Sequence, residues 1–355
     1  MMRANIEKYD SFLSSLCASS ASTWTEAQES ALLEPYTYIT ANPGKKVSDK
    51  LIEGFNLWLN VPKDKLAVII RVAALLHNAT LLVDDIEDDS QLRRGIPAVV
   101  DIFQSRIKYM VSPQTINTAN YIYFLACQEL SALRPTKRRR ACDSSASPDS
   151  RLRDNSPTAE RPNFPKRLIS DHDLDRVVSD ELVSLHHGQG LDILWRDTLR
   201  CPTEDEYKRG GLVRTAVKVM MACATTNTNV DYIPLCNLIM VYYQIRDDYM
   251  NLQSDQYMNN KGFADDLSEG KFSFPIVHGI LEQPENQLIM NVLQKRPKTP
   301  TLKHHAIEYL RNTTKSFDYT LAVLKKLEQQ ARRELERLGG NPMLSALLDK
   351  LHVDT

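Results

Sequence analysis

Two short segments of this 355-residue chain place several acidic side chains at helical spacing. In the first, Asp84-Asp85-Ile86-Glu87-Asp88, residues 84 and 88 are one helical turn apart, and His77 lies about two turns before Asp84. These three side chains therefore share one face of a helix that is otherwise apolar. Carboxylates crowded in this way repel one another unless cations gather them. The alternative is the solvated acidic end of an ordinary helix.

The second segment is a polar stripe on a helix with apolar flanks. Gln244, Asp247, Asp248 and Asn251 follow the spacing i, i+3, i+4, i+7, which usually belongs to a buried apolar face. A polar stripe inside a helical bundle costs free energy unless it binds a ligand. Oxygen-rich groups without cysteine suit Mg²⁺, which takes a few carboxylates and completes its shell with water and phosphate oxygens. Two such helices, facing one another across a cavity, predict a Mg²⁺ site.

Lysine and arginine residues flank both acidic segments. They are Lys45, Arg93, Arg94, Lys261 and Lys271. Each of them alone is typical of a surface charge. Around carboxylates that hold Mg²⁺, however, a ring of cations predicts a binding site for a polyanion such as diphosphate.

The composition excludes several classes of protein. Only 12 residues are glycine, which argues against a glycine-rich dinucleotide-binding fold, and the net charge of −1 gives no general attraction to nucleic acid or to a membrane. The six cysteines are far apart and form no Cys-x-x-Cys pair, so neither a disulfide framework nor a zinc site is expected. We find no signal peptide and no apolar run near the length of a membrane span. We therefore expect a cytoplasmic protein with no transmembrane segment and no nucleic-acid partner.

Helices must position the polar side chains, because apolar residues recur at helical spacing through most of the chain and no alternating strand pattern is present. We predict an all-α fold: one large bundle of ten or more helices, with the two aspartate-rich helices facing each other around a central cavity. Residues 1–30 form a polar arm, and residues 31–355 form the domain. Residues 134–167 interrupt it with five prolines, ten Lys or Arg and few apolar side chains, which predicts a disordered surface insertion.

The two acidic segments resemble the aspartate-rich motifs of trans-isoprenyl diphosphate synthases. Asp84–Asp88, followed by Leu92-Arg93-Arg94-Gly95, resembles the first motif, and Gln244–Asn251 resembles the second. Two longer matches, at residues 185–192 and 262–275, are similar to the geranylgeranyl diphosphate synthases of fungi and animals. The resemblance covers nearly the whole chain outside the insertion.

The resemblance implies an enzyme that uses Mg²⁺, three ions per active site, to condense isopentenyl diphosphate with dimethylallyl, geranyl or farnesyl diphosphate into geranylgeranyl diphosphate. The metal ligands that it implies are Asp84, Asp88 and Asp247. Its catalytic set comprises Asp84, Asp85, Asp88, Asp247, Asp248, Lys208 and Lys261. The allylic diphosphate would be held by Arg93, Lys208, Lys261 and Lys271 and oriented by Gln244, and Asn251 would support the metals. Isopentenyl diphosphate would be held by Lys45, His77 and Arg94. The resemblance also implies a homodimer or a higher homo-oligomer.

Product length depends on the space below the first motif. Thr80 and Ala79, four and five residues before Asp84, lie about one turn down the same helix, where the growing prenyl tail must pass. Both are small, whereas a farnesyl diphosphate synthase is expected to carry aromatic bulk there. We expect a twenty-carbon product, with farnesyl diphosphate or chains of twenty-five carbons and more as alternatives. The candidates for the floor of the pocket, on the following helix, are Tyr121, Tyr123 and Phe124.

Two positions depart from the family pattern. Ser48 stands in the Gly44-Lys45 loop where the family has an arginine, and Arg209, after Lys208, stands where the family has a threonine. Losing a bidentate guanidinium weakens diphosphate binding by about 1–3 kcal/mol. We therefore expect an active enzyme with a raised KM for isopentenyl diphosphate.

Three other interpretations remain open at this point. The departures at Ser48 and Arg209 are compatible with a non-catalytic, synthase-like regulatory subunit. A class I terpene cyclase shares the bundle and the first motif, but cyclases usually carry a second motif of the form Asn-x-x-x-Ser-x-x-x-Glu. The chain is also compatible with the C-terminal half of a two-domain terpene synthase, although its polar arm and Met1 favour a standalone protein.

Overall fold

The structure, a computed structural model, describes residues 25–44, 47–99, 102, 113–133, 174–207, 212–254 and 263–353. The predicted insertion at 134–167 and most of the predicted arm lie outside the described residues. So do four residues that the sequence analysis singled out, namely Lys45, Lys208, Arg209 and Lys261.

The described part of the chain is 76% helical, with fourteen α-helices, and the predicted all-α fold is confirmed. The first seven are α1 Glu26–Leu32, α2 Glu34–Ala41, α3 Val47–Leu59, α4 Lys63–Glu87, α5 Pro113–Leu130, α6 Leu174–Thr198 and α7 Leu212–Cys223. The other seven are α8 Ile233–Gln253, α9 Asp265–Glu269, α10 Phe274–Glu282, α11 Leu288–Lys295, α12 Pro300–Asn312, α13 Ser316–Arg337 and α14 Pro342–Leu351.

The helix α4 carries the first acidic motif at its C-terminal end. Its buried apolar residues recur every three or four positions, at Ile69, Val72, Leu76, Ala79 and Leu82, and form one face. This face packs against α2, α5 and α7. By length and composition α4 is the one described helix that is apolar enough to cross a membrane, so the expectation that no apolar run approaches a span needs that correction. One face of α4 packs into the bundle, and the helix ends in the acidic motif.

The helix α8 carries the second polar motif and packs against α7, α10 and α13. The C-terminal end of the described chain is fixed to it, since the hydroxyl of Tyr242 and the Nε of Arg246 both donate to the main-chain carbonyl oxygen of Leu351, at 2.8 and 2.6 Å. Arg246 directly precedes Asp247, so α14 helps to hold the helix that presents the second motif.

A two-stranded hairpin follows α4, which the sequence analysis did not predict. Strand β1 (Leu92–Arg93) pairs antiparallel with β2 (Ile96–Pro97) across a turn formed by Arg94 and Gly95. Both turn residues have positive φ, 57° and 80°, as a tight type I′ hairpin requires. The hairpin therefore fixes Arg93, at the end of β1, and Arg94, in the turn, close to the first motif.

Candidate active site

The helices α4, α6 and α8 and the segment around α9 enclose a cavity of about 240 Å³. Polar and charged side chains form most of its wall. The lining residues include Asp84, Asp88, Arg93, Gln189, Asp192, Arg196, Gln244, Asp265, Glu269 and Lys271, with Leu92, Leu185 and Phe272 among the apolar ones. The structure therefore brings the two predicted motifs to one cavity, through Asp84 and Asp88 on one side and Gln244 on the other.

Arg93 is bound between two carboxylates of the first motif. Its Nε donates to Oδ1 of Asp85 at 2.5 Å, and its Nη2 donates to Oδ2 of Asp84 at 2.8 Å. Asp85 is fully buried, while the Asp84 side chain is one-third exposed. Burial alone would disfavour the charged guanidinium, but the two carboxylates outweigh it and raise the pKa of Arg93. Asp85 thus anchors Arg93, and Asp84 is the carboxylate of this pair that reaches the cavity.

Asp88 follows the last residue of α4 and lies in an environment that resists its negative charge. Burial, and after it the neighbouring charge of Asp84, raise the pKa of Asp88 to about 7. Its Oδ1 accepts a hydrogen bond from Nη1 of Arg196 at 2.9 Å. A further positive charge in the cavity would favour the ionised form of Asp88.

The side chains of the second motif do not all face the cavity. Asp248 is buried, and its carboxylate accepts hydrogen bonds from the Tyr207 hydroxyl, from the main-chain N–H of Phe274 at 2.8 Å and from Nζ of Lys271 at 3.4 Å. Asn251 is also buried, and its Oδ1 accepts from the N–H of Asp266 at 3.2 Å. Both side chains therefore hold the segment that carries α9 and Lys271 against α8, instead of facing the cavity.

Asp247 is partly buried, and it is not among the residues that line the cavity. Lys271 does line it and lies close to two carboxylates, 3.4 Å from Asp248 and 3.8 Å from Asp266. Burial opposes the charge of the Lys271 ammonium, but Asp266 and Asp248 raise its pKa well above the ordinary value. Lys271 is thus a fixed positive charge at the wall of the cavity.

Arg94 and His77 lie together at the other side of the hairpin. The Nη1 of Arg94 donates to the carbonyl oxygen of Asn42 at 2.5 Å, and the Asn42 amide donates back to the carbonyl oxygen of Arg94 at 3.1 Å. A Cβ atom at Gly44 would lie 2.9 Å from Nη2 of Arg94, so any larger residue there would require the end of the Arg94 side chain to shift. Burial first, and then the charges of Arg94 and Arg93, lower the pKa of His77. The structure thus brings His77, Arg94 and the residue before Lys45 to one place.

The predicted product-length residues do not all face the same space. The Thr80 hydroxyl lies 3.2 Å from that of Tyr123, whose ring centroid is 5.5 Å from that of His186. Ala79 instead lies in the core between α2, α4 and α5.

The two remaining aromatic residues of α5 point elsewhere. The Tyr121 hydroxyl donates to Glu29 of α1 at 2.5 Å. Phe124 is 71% exposed on the outer face of α5. Only Tyr123 of the three predicted floor residues lies beside Thr80.

Several cavity residues were missed by the sequence reasoning. Gln189 and Asp192 belong to the segment 185–192 that carries part of the family resemblance, so the signal was present but was given no role. Arg196 lies one helical turn after Asp192, and Glu269 lies two residues before Lys271. Glu269 also belongs to the matched segment 262–275, so its signal was present as well, whereas no local pattern marks Arg196, because its partner Asp88 is 108 positions away.

The donor set of the cavity fits Mg²⁺. Its wall offers carboxylate oxygens, the two amides of Gln189 and Gln244 and no thiol, which is the chemistry that hard divalent cations select. Within the described residues, no three acidic, histidine or cysteine side chains converge closely enough to form a metal cage of their own. Such an open arrangement suits Mg²⁺, which usually keeps waters and substrate phosphate oxygens among its ligands.

Comparison with known proteins gives a consistent result. The profile of the family described as polyprenyl synthetase matches residues 29–310. A protein of Hericium erinaceus named geranylgeranyl pyrophosphate synthase AN1592 is 48% identical over 339 residues, which cover 94% of this chain and 95% of that protein. A geranylgeranyl pyrophosphate synthase of Mucor circinelloides f. lusitanicus is 41% identical over 94% of this chain and 96% of its own. A protein of Melampsora lini named IDS-like terpene synthase 1 is also 41% identical, over 94% of this chain and 92% of its own.

The different surroundings of Asp247 and Asp248 predict different effects of the same substitution. Asp248→Asn places an amide where three donors meet and leaves Lys271 with a weaker partner, so we expect the free energy of unfolding to fall by about 3 kcal/mol. The matched variant Asp247→Asn should change it by less than about 1 kcal/mol. Urea denaturation of the two variants measures both values. Equal stability of the two would contradict a structural role for Asp248.

Proposed function

The chain belongs to the polyprenyl synthetase family, as its motifs predicted, and we propose that it condenses isopentenyl diphosphate with allylic diphosphates to give geranylgeranyl diphosphate. The observation that carries this proposal is the cavity in which Asp84 and Asp88 face Gln244 and Lys271. It is supported by relatives named geranylgeranyl pyrophosphate synthase that align with 94% of the chain.

The reaction begins with ionisation of the allylic substrate. Its carbon–oxygen bond breaks, the diphosphate leaves with the electron pair, and an allylic cation remains. Lys271 and Arg93 supply fixed positive charge beside the leaving group, which stabilises the transition state more than the bound substrate because charge develops there. Asp84, Asp88 and Asp247 would hold Mg²⁺, which would supply further positive charge against the same leaving group.

The second substrate then attacks the cation. The double bond of isopentenyl diphosphate forms a new carbon–carbon bond, and the resulting cation loses a proton to the departed diphosphate, which leaves a new double bond. In this proposal Arg94, which lies beside Gly44, and His77 hold the diphosphate of isopentenyl diphosphate. Burial lowers the pKa of His77, which favours its neutral imidazole, and a neutral imidazole has one N–H that can donate to an oxygen of this diphosphate.

The apolar wall of the cavity protects the cation. Leu92, Leu185 and Phe272 line it beside the charged groups. They exclude water, which would otherwise trap the cation as an alcohol, and they strengthen each electrostatic contact inside the site.

Product length in this proposal follows from the contact between Thr80 and Tyr123. A prenyl tail that runs down α4 from Asp84 passes Thr80 after about one turn. There the hydroxyl pair of Thr80 and Tyr123 and the ring of His186 span the gap between α4, α5 and α6. In this proposal the small Thr80 borders the path of the tail on α4, and Tyr123 with His186 limits how far the tail can extend.

The quaternary structure and the cellular location are also part of the proposal. Phe124 on α5 and Val183 and Leu194 on α6 are 71%, 70% and 52% exposed, and large apolar side chains of this kind favour burial against a second copy of the chain. Sedimentation velocity measures the resulting dimer directly. The four cysteines in the described residues, Cys127, Cys201, Cys223 and Cys236, are free thiols, which favours a cytoplasmic protein.

A terpene synthase is the second candidate, because two relatives from Melampsora species, 41% and 38% identical, are named IDS-like terpene synthases. Such an enzyme releases a hydrocarbon or an alcohol from the allylic diphosphate and needs no isopentenyl diphosphate. We favour the condensing enzyme because Arg94, beside Gly44 and near enough to His77 to lower the pKa of that imidazole, offers positive charge for a second diphosphate.

A product assay tests the function and separates the two candidates. Purified protein receives Mg²⁺ and farnesyl diphosphate, with or without isopentenyl diphosphate, and extracts are sized before and after treatment with phosphatase. We expect geranylgeraniol only after phosphatase treatment and only with both substrates. Asp84→Asn should lower the rate at least about 100-fold, because it removes a charged metal ligand. A terpene released from farnesyl diphosphate alone would contradict the proposal.

Removal of the Tyr123 side chain should lengthen the product. Tyr123→Ala opens the gap beside Thr80, so we expect chains of twenty-five carbons and more to replace most of the twenty-carbon product. Tyr121→Ala is the matched control, because Tyr121 is on the same helix but its hydroxyl binds Glu29. Product lengths are compared by chromatography of the dephosphorylated alcohols. An unchanged product with Tyr123→Ala, or equal lengthening with Tyr121→Ala, would show that the floor lies elsewhere.

A further inference from the structure

Arg196, on α6, is a cavity residue to which neither the motifs nor the proposed mechanism gives a role. Its side chain is only 10% exposed. Its Nη1 donates to Oδ1 of Asp88 at 2.9 Å and to the main-chain carbonyl oxygen of Glu87 at 2.8 Å. One nitrogen therefore holds both an acidic side chain of the first motif and the end of the helix that presents it.

The position of Arg196 satisfies a general need of helix ends. The last carbonyl groups of a helix have no N–H partner within the helix, and they carry partial negative charge. The helix α4 ends at Glu87, and the four carboxyl groups of the motif, those of Asp84, Asp85, Glu87 and Asp88, gather at the same end. The buried guanidinium of Arg196 donates a hydrogen bond to the Glu87 carbonyl. It also reduces the repulsion between Asp88 and the other carboxylates.

The guanidinium of Arg196 is itself fixed. Its Nε donates to Oδ1 of Asp197 at 3.2 Å, and the same oxygen lies 3.4 Å from Nη2 of Arg296. Its aliphatic part lies beside Gly270, where an added Cβ would be 3.6 Å from the Cγ of Arg196. Gly270 has a φ of +74° and directly precedes Lys271. Arg196 therefore joins the end of α4 to the turn that presents Lys271.

The two arginines near the first motif bind different carboxylates. Arg93 binds Asp84 and Asp85, whereas the described ion pair of Asp88 is the one with Arg196. Because Arg196 uses only Oδ1 of Asp88, the second oxygen of that carboxylate remains for a cation in the cavity. Without Arg196, the Asp88 side chain would be free to rotate and would be left among other negative charges.

We propose that Arg196 is a positioning residue, which fixes Asp88 and the last turn of α4 so that the motif binds divalent cations together with a diphosphate. Its importance for turnover rests on the proposed function, but its effect on metal binding is measurable without turnover. Removal of a residue that orients a metal ligand typically costs 10–100-fold in metal affinity or activity.

The experiment measures the binding of Mn²⁺, as a stand-in for Mg²⁺, in the presence of inorganic diphosphate. Free Mn²⁺ is followed by electron paramagnetic resonance, and a protein-free titration corrects for Mn²⁺ diphosphate in solution. Arg196→Met removes both hydrogen bonds, whereas Arg196→Lys keeps one nitrogen that can reach both oxygens. The control is Arg337→Met, because Arg337 forms an ion pair of 2.7 Å with Glu334 on the surface of α13.

We expect Arg196→Met to weaken Mn²⁺ binding 10–100-fold, Arg196→Lys to recover most of it, and Arg337→Met to leave it unchanged. The KM for isopentenyl diphosphate should stay within about twofold, because Arg94 and His77 are untouched, whereas a general loss of structure would raise it as well. Wild-type-like Mn²⁺ binding by folded Arg196→Met would overturn the inference.

Thermal unfolding shows which variant decides the test. If Arg196→Met does not fold, Arg196→Lys decides, and a folded lysine variant that binds Mn²⁺ more than 10-fold more weakly than the wild type would also overturn the inference. A protein that shows the expected binding but forms no prenyl product would refute the proposed function and leave the role of Arg196 supported.

Discussion

The site depends on the negative charge gathered at the C-terminal end of α4. Asp84, Asp85, Glu87 and Asp88 lie within about one helical turn, where the helix itself contributes further negative charge. Burial further disfavours the charged carboxylates, and together with the charge of Asp84 it raises the pKa of Asp88 to about 7. Such a segment is stable only when positive charge is brought to it. The negative field that destabilises this acidic segment in the absence of cations also makes it a strong binding site for divalent cations and, through them, for diphosphate.

The rest of the fold supplies that positive charge from separate elements. The hairpin after α4 brings Arg93 back to Asp84 and Asp85, and α6 brings Arg196 to Asp88. The α9 segment brings Lys271, which is held by Asp248 of α8. Each of these helices buries its opposite face in an apolar core, so the cost of the charged cavity is offset by packing elsewhere in the bundle. This explains why long apolar helices and dense acidic motifs occur together in one chain.

Much of the fold and the centre of the site follow from local patterns in the sequence. Helical periodicity extends over many residues, and the acidic residues of Asp84–Asp88 are next to one another in the sequence. Both features could therefore be predicted. The stripe from Gln244 to Asn251 was harder. Its spacing places four polar groups on one broad face, but only the packed neighbours show that Asp248 and Asn251 turn towards the α9 segment. The hairpin was missed because two-residue strands are too short to show alternation.

Tertiary contacts decide the remaining residues. The roles of Arg196 and Tyr207 depend on partners 108 and 41 positions away, and no spacing rule relates such distant residues. The difference between Tyr121, Tyr123 and Phe124 depends on the rotation of α5 against α4. Sequence identifies these aromatic side chains as candidates, but only packing shows that Tyr123 is the one beside Thr80.

The most direct test of the central claim is a crystal structure of the protein with Mg²⁺ and an unreactive thiodiphosphate analogue of farnesyl diphosphate. The account predicts that the diphosphate and its metal ions lie between Asp84 and Asp88 on one side and Asp247 on the other, with the prenyl tail running along α4 towards Tyr123. A diphosphate bound outside the cavity, or a tail that leaves it in another direction, would contradict the account.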